Sequence, residues 1–416
     1  MKKSFIIQLV FIAASLPAFS QLTLENCYQK ARDNYPLIKQ YDLIAKAMDF
    51  NLANAAKGYL PQISFTAKAS YQSDVTKIPI NIQGVQGLSK DQYGMTMEVN
   101  QTLWDGGAIK SRQEIIRSNS EASRLNLEVN MYAIRERINQ LFFGTLLIDE
   151  QIRQNDIYQN DLQKNLDKVS SYVRNGIANQ ADIDAVKVEL LKSVQNRVQL
   201  KHSRNAYIEM LSSFTGEKLA SDIVLEKPDV LSDEPVTINR PELQWYDAQM
   251  QSYAKQRLAV KADVMPKVGL FLTGGYGKPG LNMLDNSFSP YYIGGIRLSW
   301  NLSKLYTHKN DRRLIDTQIN AVQSQKETFL LNTRMDISQK ENIIGSYREQ
   351  LKYDDEIIAL RKSVKQSSEA KIANGTLSGI DLVRDINAEN LALQDKSQHE
   401  IKMLLELYNL KFATNN

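Results

Sequence analysis

The strongest constraint on this chain is that it repeats itself. Residues 172–183 read YVRNGIANQADI and residues 371–382 read KIANGTLSGIDL. Gly176 and Gly375 stand 199 positions apart, and an aspartate follows each six residues later, Asp182 and Asp381. Upstream, NYPLIKQYDLIAKA (34–47) lies over NRPELQWYDAQMQS (239–252), pairing Pro36 with Pro241 and Tyr41-Asp42 with Tyr246-Asp247 at an offset of 205. Leu60-Pro61 and Met265-Pro266 keep that offset, whereas Tyr93 meets Tyr292 and Leu103 meets Leu302 at 199. One change of six residues between Tyr71 and Tyr93 reconciles the whole alignment. Insertions collect in exposed loops, so the segment near 73–91 is predicted to be a surface loop. Self-similarity on this scale means one supersecondary plan built twice.

The plan in each copy is helix, strand, strand, long helix, turn, helix. Residues 22–58 carry helical periodicity, Thr23 stands in the N-cap position and Pro61 closes the segment. QISFTAKASY (62–71) sets Ile63, Phe65, Ala67, Ala69 and Tyr71 against Ser64, Thr66, Lys68 and Ser70, the period-2 alternation of a strand. YGMTMEVNQTL (93–103) alternates in the same way. From about Asp105 to Tyr172 there is no proline; one helix of that length spans on the order of 100 Å. A last helix is predicted over 181–214, with Ile183, Val186, Leu190, Val194, Val198 and Ala206 at coiled-coil spacing. The second copy predicts a helix near 240–262, strands near 267–276 and 292–302, a long helix near 304–372 and a final helix to about Lys411. The resulting division is a first repeat at 21–216, an acidic, proline-containing linker at 217–238, a second repeat at 239–411 and a tail at 412–416.

Hydrophobic residues make up 43% of the chain and charged residues 24%, which excludes a disordered chain and a bundle of membrane helices. A net charge of +4 is too mild to argue for nucleic acid. The opening MKKSFIIQLVFIAASLPAFS has two lysines, an apolar run over Phe5–Leu16, and Ala18 and Ser20 where a signal peptidase reads small residues. It is expected to be a signal peptide, removed to leave Gln21 first. The single cysteine, Cys27, excludes an internal disulfide. It follows Leu24-Glu25-Asn26, which is not a lipid-attachment context, and reads as a small helix residue. Beyond residue 20 no run of 18 apolar residues occurs, so any membrane crossing has to use strands.

Each predicted strand has about the 10 residues that cross a bilayer at a tilt. The polar faces carry Lys68 and Glu98 in the first copy and Arg297 in the second, positions expected in a barrel lumen. Tyr71, Tyr93, Tyr276, Tyr292, Trp104 and Trp300 cluster at strand ends, as aromatic girdles do. The same alternation suits a half-buried sheet packed on a helix, and pattern alone leaves both readings open. Counting goes further. Open sheet edges cannot face lipid, and the smallest membrane barrels need about 8 strands. Four strands per chain therefore require oligomers: a dimer would close a barrel filled by side chains, and a trimer would close 12 strands with room for a pore.

LTLENCYQKARDNYP, the helix-ending Leu60-Pro61, QTLWDGG (101–107) and the corners NG-IANQAD and NG-TLSGID occur in order across nearly all of 22–411. On these motifs the chain resembles the TolC-like outer-membrane efflux protein family. The resemblance implies a mixed α+β membrane protein, mostly α, in which a homotrimer forms a 12-stranded β-barrel in outer-membrane lipid and a long periplasmic α-helical barrel. It implies a passive duct that meets a periplasmic adaptor (membrane fusion) protein, linked in turn to an inner-membrane pump of resistance-nodulation-division or ABC type. In such a protein the glycine corners are hairpin turns at the periplasmic tip, where leaving a helix needs φ > 0, and the aspartates open the returning helices. Gly176, Ile177, Ala178, Gly375, Thr376 and Leu377 are then expected to dock the adaptor.

The resemblance also implies a tunnel constriction at Asp182, Asp184, Asp381 and Arg384. The family often carries two acids three residues apart there. Here the second position is Arg384, and the first copy has Asp182 and Ala185. Arg384 either neutralises Asp381 on its own helix surface or reaches Asp182 or Asp184 of a neighbouring hairpin as a latch; the sequence leaves both open.

An enzyme is not expected. His202, His308, His399 and Cys27 show no ligand or nucleophile spacing, and no cofactor or metal is implied. Gly275, Gly277 and Gly280 satisfy G-x-G-x-x-G, but Pro279 and the segment after it forbid the helix a dinucleotide site requires. The alternative function is a periplasmic coiled-coil structural or adaptor protein without a membrane barrel, whose strands would pack in a soluble sheet.

Overall fold

The computed structural model describes residues 21–76, 87–230 and 237–415. The expected signal peptide, part of the expected surface loop and part of the linker lie outside the described residues. Two compact units form. A sheet unit comprises Lys39–Asn130 and Pro241–Leu331; a helical unit comprises the chain up to Ile38, Met131–Arg240 and Asn332 onward.

The first predicted helix is two. Helix α1 covers Leu24–Asn34 and α2 covers Lys39–Ala56, with a 3-10 turn at Pro36–Ile38 between them. Proline drives the residue before it out of the helical region, and Tyr35 is extended at φ −65° and ψ 133°. The Thr23 hydroxyl oxygen caps α1, accepting the Asn26 N–H at 3.1 Å.

In the sheet unit, β1 (Gln62–Tyr71), β2 (Asp91–Trp104), β3 (Lys267–Lys278) and β4 (Ser289–Ser299) form one antiparallel sheet in the order β1-β2-β3-β4. The β2–β3 pairing joins the first repeat to the second. The fourth strand begins and ends three residues before the predicted 292–302. Its apolar alternation runs on through Trp300 and Leu302, but Asn301 turns the chain into the next helix, its carbonyl accepting the Lys304 N–H at 3.3 Å. Pro290 is tolerated because β4 is an edge strand in this chain. The G-x-G-x-x-G run ends β3 and leads to a loop, not a helix.

Partners across an antiparallel ladder share a face, so register separates the two faces of the sheet. Ile63 lies opposite Val99, Phe65 opposite Met97, Val99 opposite Leu272, and Leu270 opposite Ile296. Ser64 lies opposite Glu98, Thr66 opposite Thr96, Glu98 opposite Thr273, and Gly269 opposite Arg297. One face is apolar and the other polar, and both are bare: Phe65 is 68% exposed, Ile296 73% and Leu298 68%. The helices of this unit, α2, the first part of α3 (Ala108–Tyr132), α6 (Pro241–Asp263) and the first part of α7 (Lys304–Ala373), tie to each other instead. Lys255 meets Glu114 at 3.0 Å and Lys326 meets Asp247 at 2.6 Å.

The long helix of the first copy is not one piece. It divides at Ala133 into α3 and α4 (Ile134–Arg174). The division falls at the unit boundary, where the Tyr132 ring stacks on Phe412 at 4.8 Å and its hydroxyl donates to the Phe412 carbonyl at 2.7 Å. Its counterpart α7 is unbroken over 70 residues. Helices α5 (Gln180–Thr215) and α8 (Gly379–Thr414) complete the helical unit.

Ile138, Phe142, Phe143, Ile208, Leu211 and Leu404 form its buried centre, and Leu22 bridges to the linker through the Val224 carbonyl at 3.0 Å. Cys27 lies in this unit, on α1 as expected, and is buried. Burial pushes its thiol up to about 12, with Lys30 pulling weakly the other way. Only the thiolate is nucleophilic. At pH 8 the folded protein should therefore resist iodoacetamide and become fully alkylated only in denaturant. Mass spectrometry of the two samples checks this, and labelling of the folded chain at the rate of a free thiol would contradict it.

Candidate functional site

Both glycine corners are helix-ending turns of the same construction. After α4, Gly176 takes φ +75°, its N–H donates to the Val173 carbonyl at 3.1 Å, and the Ile177 N–H donates to the Tyr172 carbonyl at 2.9 Å. After α7, Gly375 takes φ +71°, its N–H donates to the Ile372 carbonyl at 3.0 Å, and the Thr376 N–H donates to the Lys371 carbonyl at 3.0 Å. This pair of bonds satisfies the last carbonyls of a helix and needs the left-handed conformation that glycine adopts without strain. Gly176, Ile177, Gly375 and Thr376 are exposed, whereas Ala178 and Leu377 are half-buried.

The returning helices start on caps three residues after each glycine. The Asn179 side chain caps α5 by accepting the Asp182 N–H at 3.2 Å, and the Ser378 hydroxyl oxygen caps α8 by accepting the Asp381 N–H at 3.2 Å. The two aspartates then part company. Asp381 faces outward and pairs with Arg384 at 3.2 Å, within its own helix. Asp184 is exposed, beside the Gln180 amide at 3.0 Å.

Asp182, expected with them at a constriction, is instead buried inside the chain at 6% exposure. One carboxylate oxygen accepts the Asn179 N–H at 3.1 Å, closing the capping box of α5; the other accepts the Gly379 N–H at 2.9 Å, the first residue of α8. A single carboxylate thus serves two helix N-termini, each a favourable place for negative charge. Beneath it Leu162, Val169, Val186, Ile372, Leu382 and Ile386 pack into one cluster, with Ile183, Leu190 and Leu377 on its margin.

Gly379 is required there by space. A Cβ on it would stand 2.9 Å from the Asp182 Cβ, whereas a Cβ on Gly345, inside α7, would meet nothing within 4 Å in this chain. Gly379→Ala should therefore destabilise the paired hairpins by about 1–3 kcal/mol through overpacking and the lost hydrogen bond. Gly345→Ala should be neutral or stabilise by about 0.5–1 kcal/mol. Hydrogen exchange at the first turns of α5 and α8 reads the difference, and unchanged protection in Gly379→Ala would refute the tie.

On the sheet, Lys68, Glu98 and Arg297 occupy one face, as their parity requires. Arg297 lies over the Phe271 ring at 4.6 Å and reaches Glu98 and Asn100, each at 3.4 Å. Lys68 sits opposite Gly94. On the other face Tyr71, Tyr93, Tyr276 and Tyr292 gather toward the loop end, where Phe288 stacks on Tyr276 at 5.6 Å, while Trp104 and Trp300 mark the helix end.

Two features escape the sequence. The Asp182–Gly379 bond has no local signal, because Ser378-Gly379 reads as an ordinary cap. The second is Lys365 of α7, which bridges Asp161 of α4 at 2.6 Å and Glu389 of α8 at 2.7 Å. Each of the three is an unremarkable charged residue on a polar helix until the helices assemble.

The sequence profile of the outer membrane efflux protein family matches residues 27–217. No curated protein matches the chain in sequence. The fold is TolC-like and is shared with solved outer-membrane channels. CusC, described with its transmembrane channel formation, has a TM-score of 0.72 at 12% identity, over 95% of this chain and 92% of that one. VceC of Vibrio cholerae has a TM-score of 0.68 at 12% identity, over 94% of each chain. MtrE of Neisseria gonorrhoeae, in its open state, has a TM-score of 0.69 at 13% identity, over 94% of this chain and 89% of that one.

Proposed function

We propose that this chain, a member of the outer membrane efflux protein family, is the exit duct of a tripartite efflux or type I secretion system. Three copies pool their sheets into a 12-stranded barrel in the outer membrane, with the helical unit in the periplasm. The protein conducts passively, and an inner-membrane pump drives transport through a periplasmic adaptor.

The observation that carries this reading is the bare sheet. It is apolar on one face and polar on the other, neither face is covered, and β1 and β4 keep free edges. In lipid every edge has to be paired, and one chain cannot pair its own. No described helix is long and apolar enough to cross a membrane, which leaves a crossing to the strands. The rival reading, a soluble coiled-coil protein, needs helices packed on the sheet, and among the described residues the sheet unit supplies none.

Within the duct, the exposed turn residues Gly176, Ile177, Gly375 and Thr376 are the proposed adaptor contacts, with Ala178 and Leu377 backing them. Asp184, Asp381 and Arg384 are the proposed constriction. The 3.2 Å pair between Asp381 and Arg384 supports a self-neutralised mouth over a latch. Lys68, Glu98 and Arg297 face the proposed lumen.

The test is fractionation followed by planar-bilayer recording. A heat-modifiable trimer in the outer membrane that forms ion-conducting channels is the expected result. A water-soluble monomer that leaves bilayers silent would overturn the reading.

A further inference from the structure

Helices α3 and α6 of the sheet unit stand side by side and antiparallel. Lys255 meets Glu114 at 3.0 Å; three residues back along α6, the Ser252 hydroxyl donates to the Asn119 side chain, five residues on along α3. Helices usually bury an apolar stripe where they meet, but the facing positions here are polar and small. Ala122, Ser123 and Ser252 leave a hollow of about 310 Å³ between the two helices. No charged side chain lines it, and no aliphatic one larger than alanine. Lys255 and Arg117 are held by Glu114 at 3.0 and 3.2 Å and do not line it.

Two aromatic side chains wall the hollow, Trp245 and Tyr253, both half-buried. Tyr246 braces Trp245, their ring centres 4.8 Å apart, and Phe329 of α7 braces Tyr246 at 5.9 Å. The remaining wall is amide, from Asn126, Gln249 and Gln256 with Asn119. Among the described residues the Asn126 and Gln256 amides have no hydrogen-bond partner, and Gln249 Oε1 is buried without one. A buried acceptor left unpaired costs about 1–3 kcal/mol. Nothing in the chain holds the Gln249 amide in place, so it can turn to a ligand. From Trp245 to Gln256 the helix rises about 16 Å, the length of a short oligomer and not of one small molecule.

We propose that the α3–α6 groove is a carbohydrate site, and that its ligand is an uncharged glycan of N-acetylated sugars. Aromatic faces beside a few polar groups select a ligand that is apolar on its flat sides and polar at its rim. A sugar ring has that form, with C–H groups on its faces and hydroxyls around its edge. A charged ligand finds no counter-charge in the lining, and a peptide finds no pocket for an apolar side chain. The amides narrow the choice further. An acetamide offers one N–H and one carbonyl, which an Asn or Gln side chain pairs with its own carbonyl and N–H. Every group named belongs to one chain, so the site stands independently of the proposed duct.

Calorimetry and saturation-transfer NMR on the detergent-solubilised full chain test it, with chitotetraose as the probe. Chitotetraose should bind, and maltotetraose, which has rings and hydroxyls without acetamides, should bind about tenfold more weakly, the scale of one lost hydrogen bond. Trp245→Leu should abolish binding. Because that change also removes packing on Tyr246, Ser123→Leu gives a second reading: Ser123 is exposed, and a leucine there should fill the hollow and block the sugar at parent thermal stability. Co-sedimentation with cell-wall sacculi separates the sources. Pelleting of the parent but not of Ser123→Leu assigns the groove to a wall strand, and tetramer binding without pelleting assigns it to free oligosaccharides. A folded parent that does not bind chitotetraose, or binding that survives both substitutions, would overturn the site. Either result leaves the duct standing, since channel formation is read separately in bilayers.

Discussion

Leu272→Arg is expected to abolish most assembly in lipid, while Thr273→Arg, one residue along the same strand, leaves it near the parent level. Leu272 sits midway along β3 on the apolar face, between Val99 and Gly294. In the proposed barrel that face meets the acyl chains near the bilayer midplane, where an arginine costs about 2–4 kcal/mol per chain, a penalty that a trimer incurs three times. Thr273 lies on the polar face, opposite Glu98, so an arginine there stays in water beside a carboxylate. Yields of heat-modifiable trimer after folding into vesicles provide the readout. Equal tolerance at the two positions would sink the barrel reading, because a soluble sheet has no lipid face to violate.

Lys365→Met is expected to destabilise the helical unit by about 3 kcal/mol, the scale of an ion cluster broken from one side. The side chains of Lys365 and Glu389 are only 15% and 12% exposed, so removing the ammonium strands two carboxylates close together. Replacing all three, with Asp161→Leu and Glu389→Leu added, should recover much of the loss, since apolar groups of similar size leave no uncompensated charge.

The pH dependence has a definite sign. Burial alone would depress the Lys365 pKa, but hydrogen bonds to Asp161 and Glu389, aided by their charges, more than offset it and leave it raised. A raised folded-state value means the stabilisation is fully present below the unfolded value, about 10.4, and is lost as pH rises through the folded one. Denaturant titrations above about pH 10 should show that decline in the parent and not in Lys365→Met. A parallel decline in both would assign it to another group.

What could be read from the sequence was local. The alternations in 62–71 and 93–103 placed Lys68 and Glu98 each on the polar side of its strand because strand geometry reverses the side chain at each residue. The corners at Gly176 and Gly375 were legible because a helix exit at positive φ leaves few residues to choose from, and Thr23 was legible as a cap because its partner, Asn26, is three residues away. Where local signals competed the reading slipped. Apolar alternation carried the fourth strand past Ser299, and good helix formers hid the breaks at Pro36 and Ala133.

Partnership across the repeat was out of reach. Asp182 looked like the twin of Asp381, since both follow a glycine by six residues and open a helix. Only the packing of one hairpin on the other buries the first carboxylate against Gly379 and leaves the second in solvent with Arg384. The same holds for Val186 and Val198, equal members of one heptad series until the fold covers one and leaves the other bare. Backbone preferences are set within a few residues, and so the sequence by itself determined the repeat, the elements and their faces. Which of two alike side chains meets a partner some 200 positions away depends on distances between helices, and the tertiary structure alone decided those.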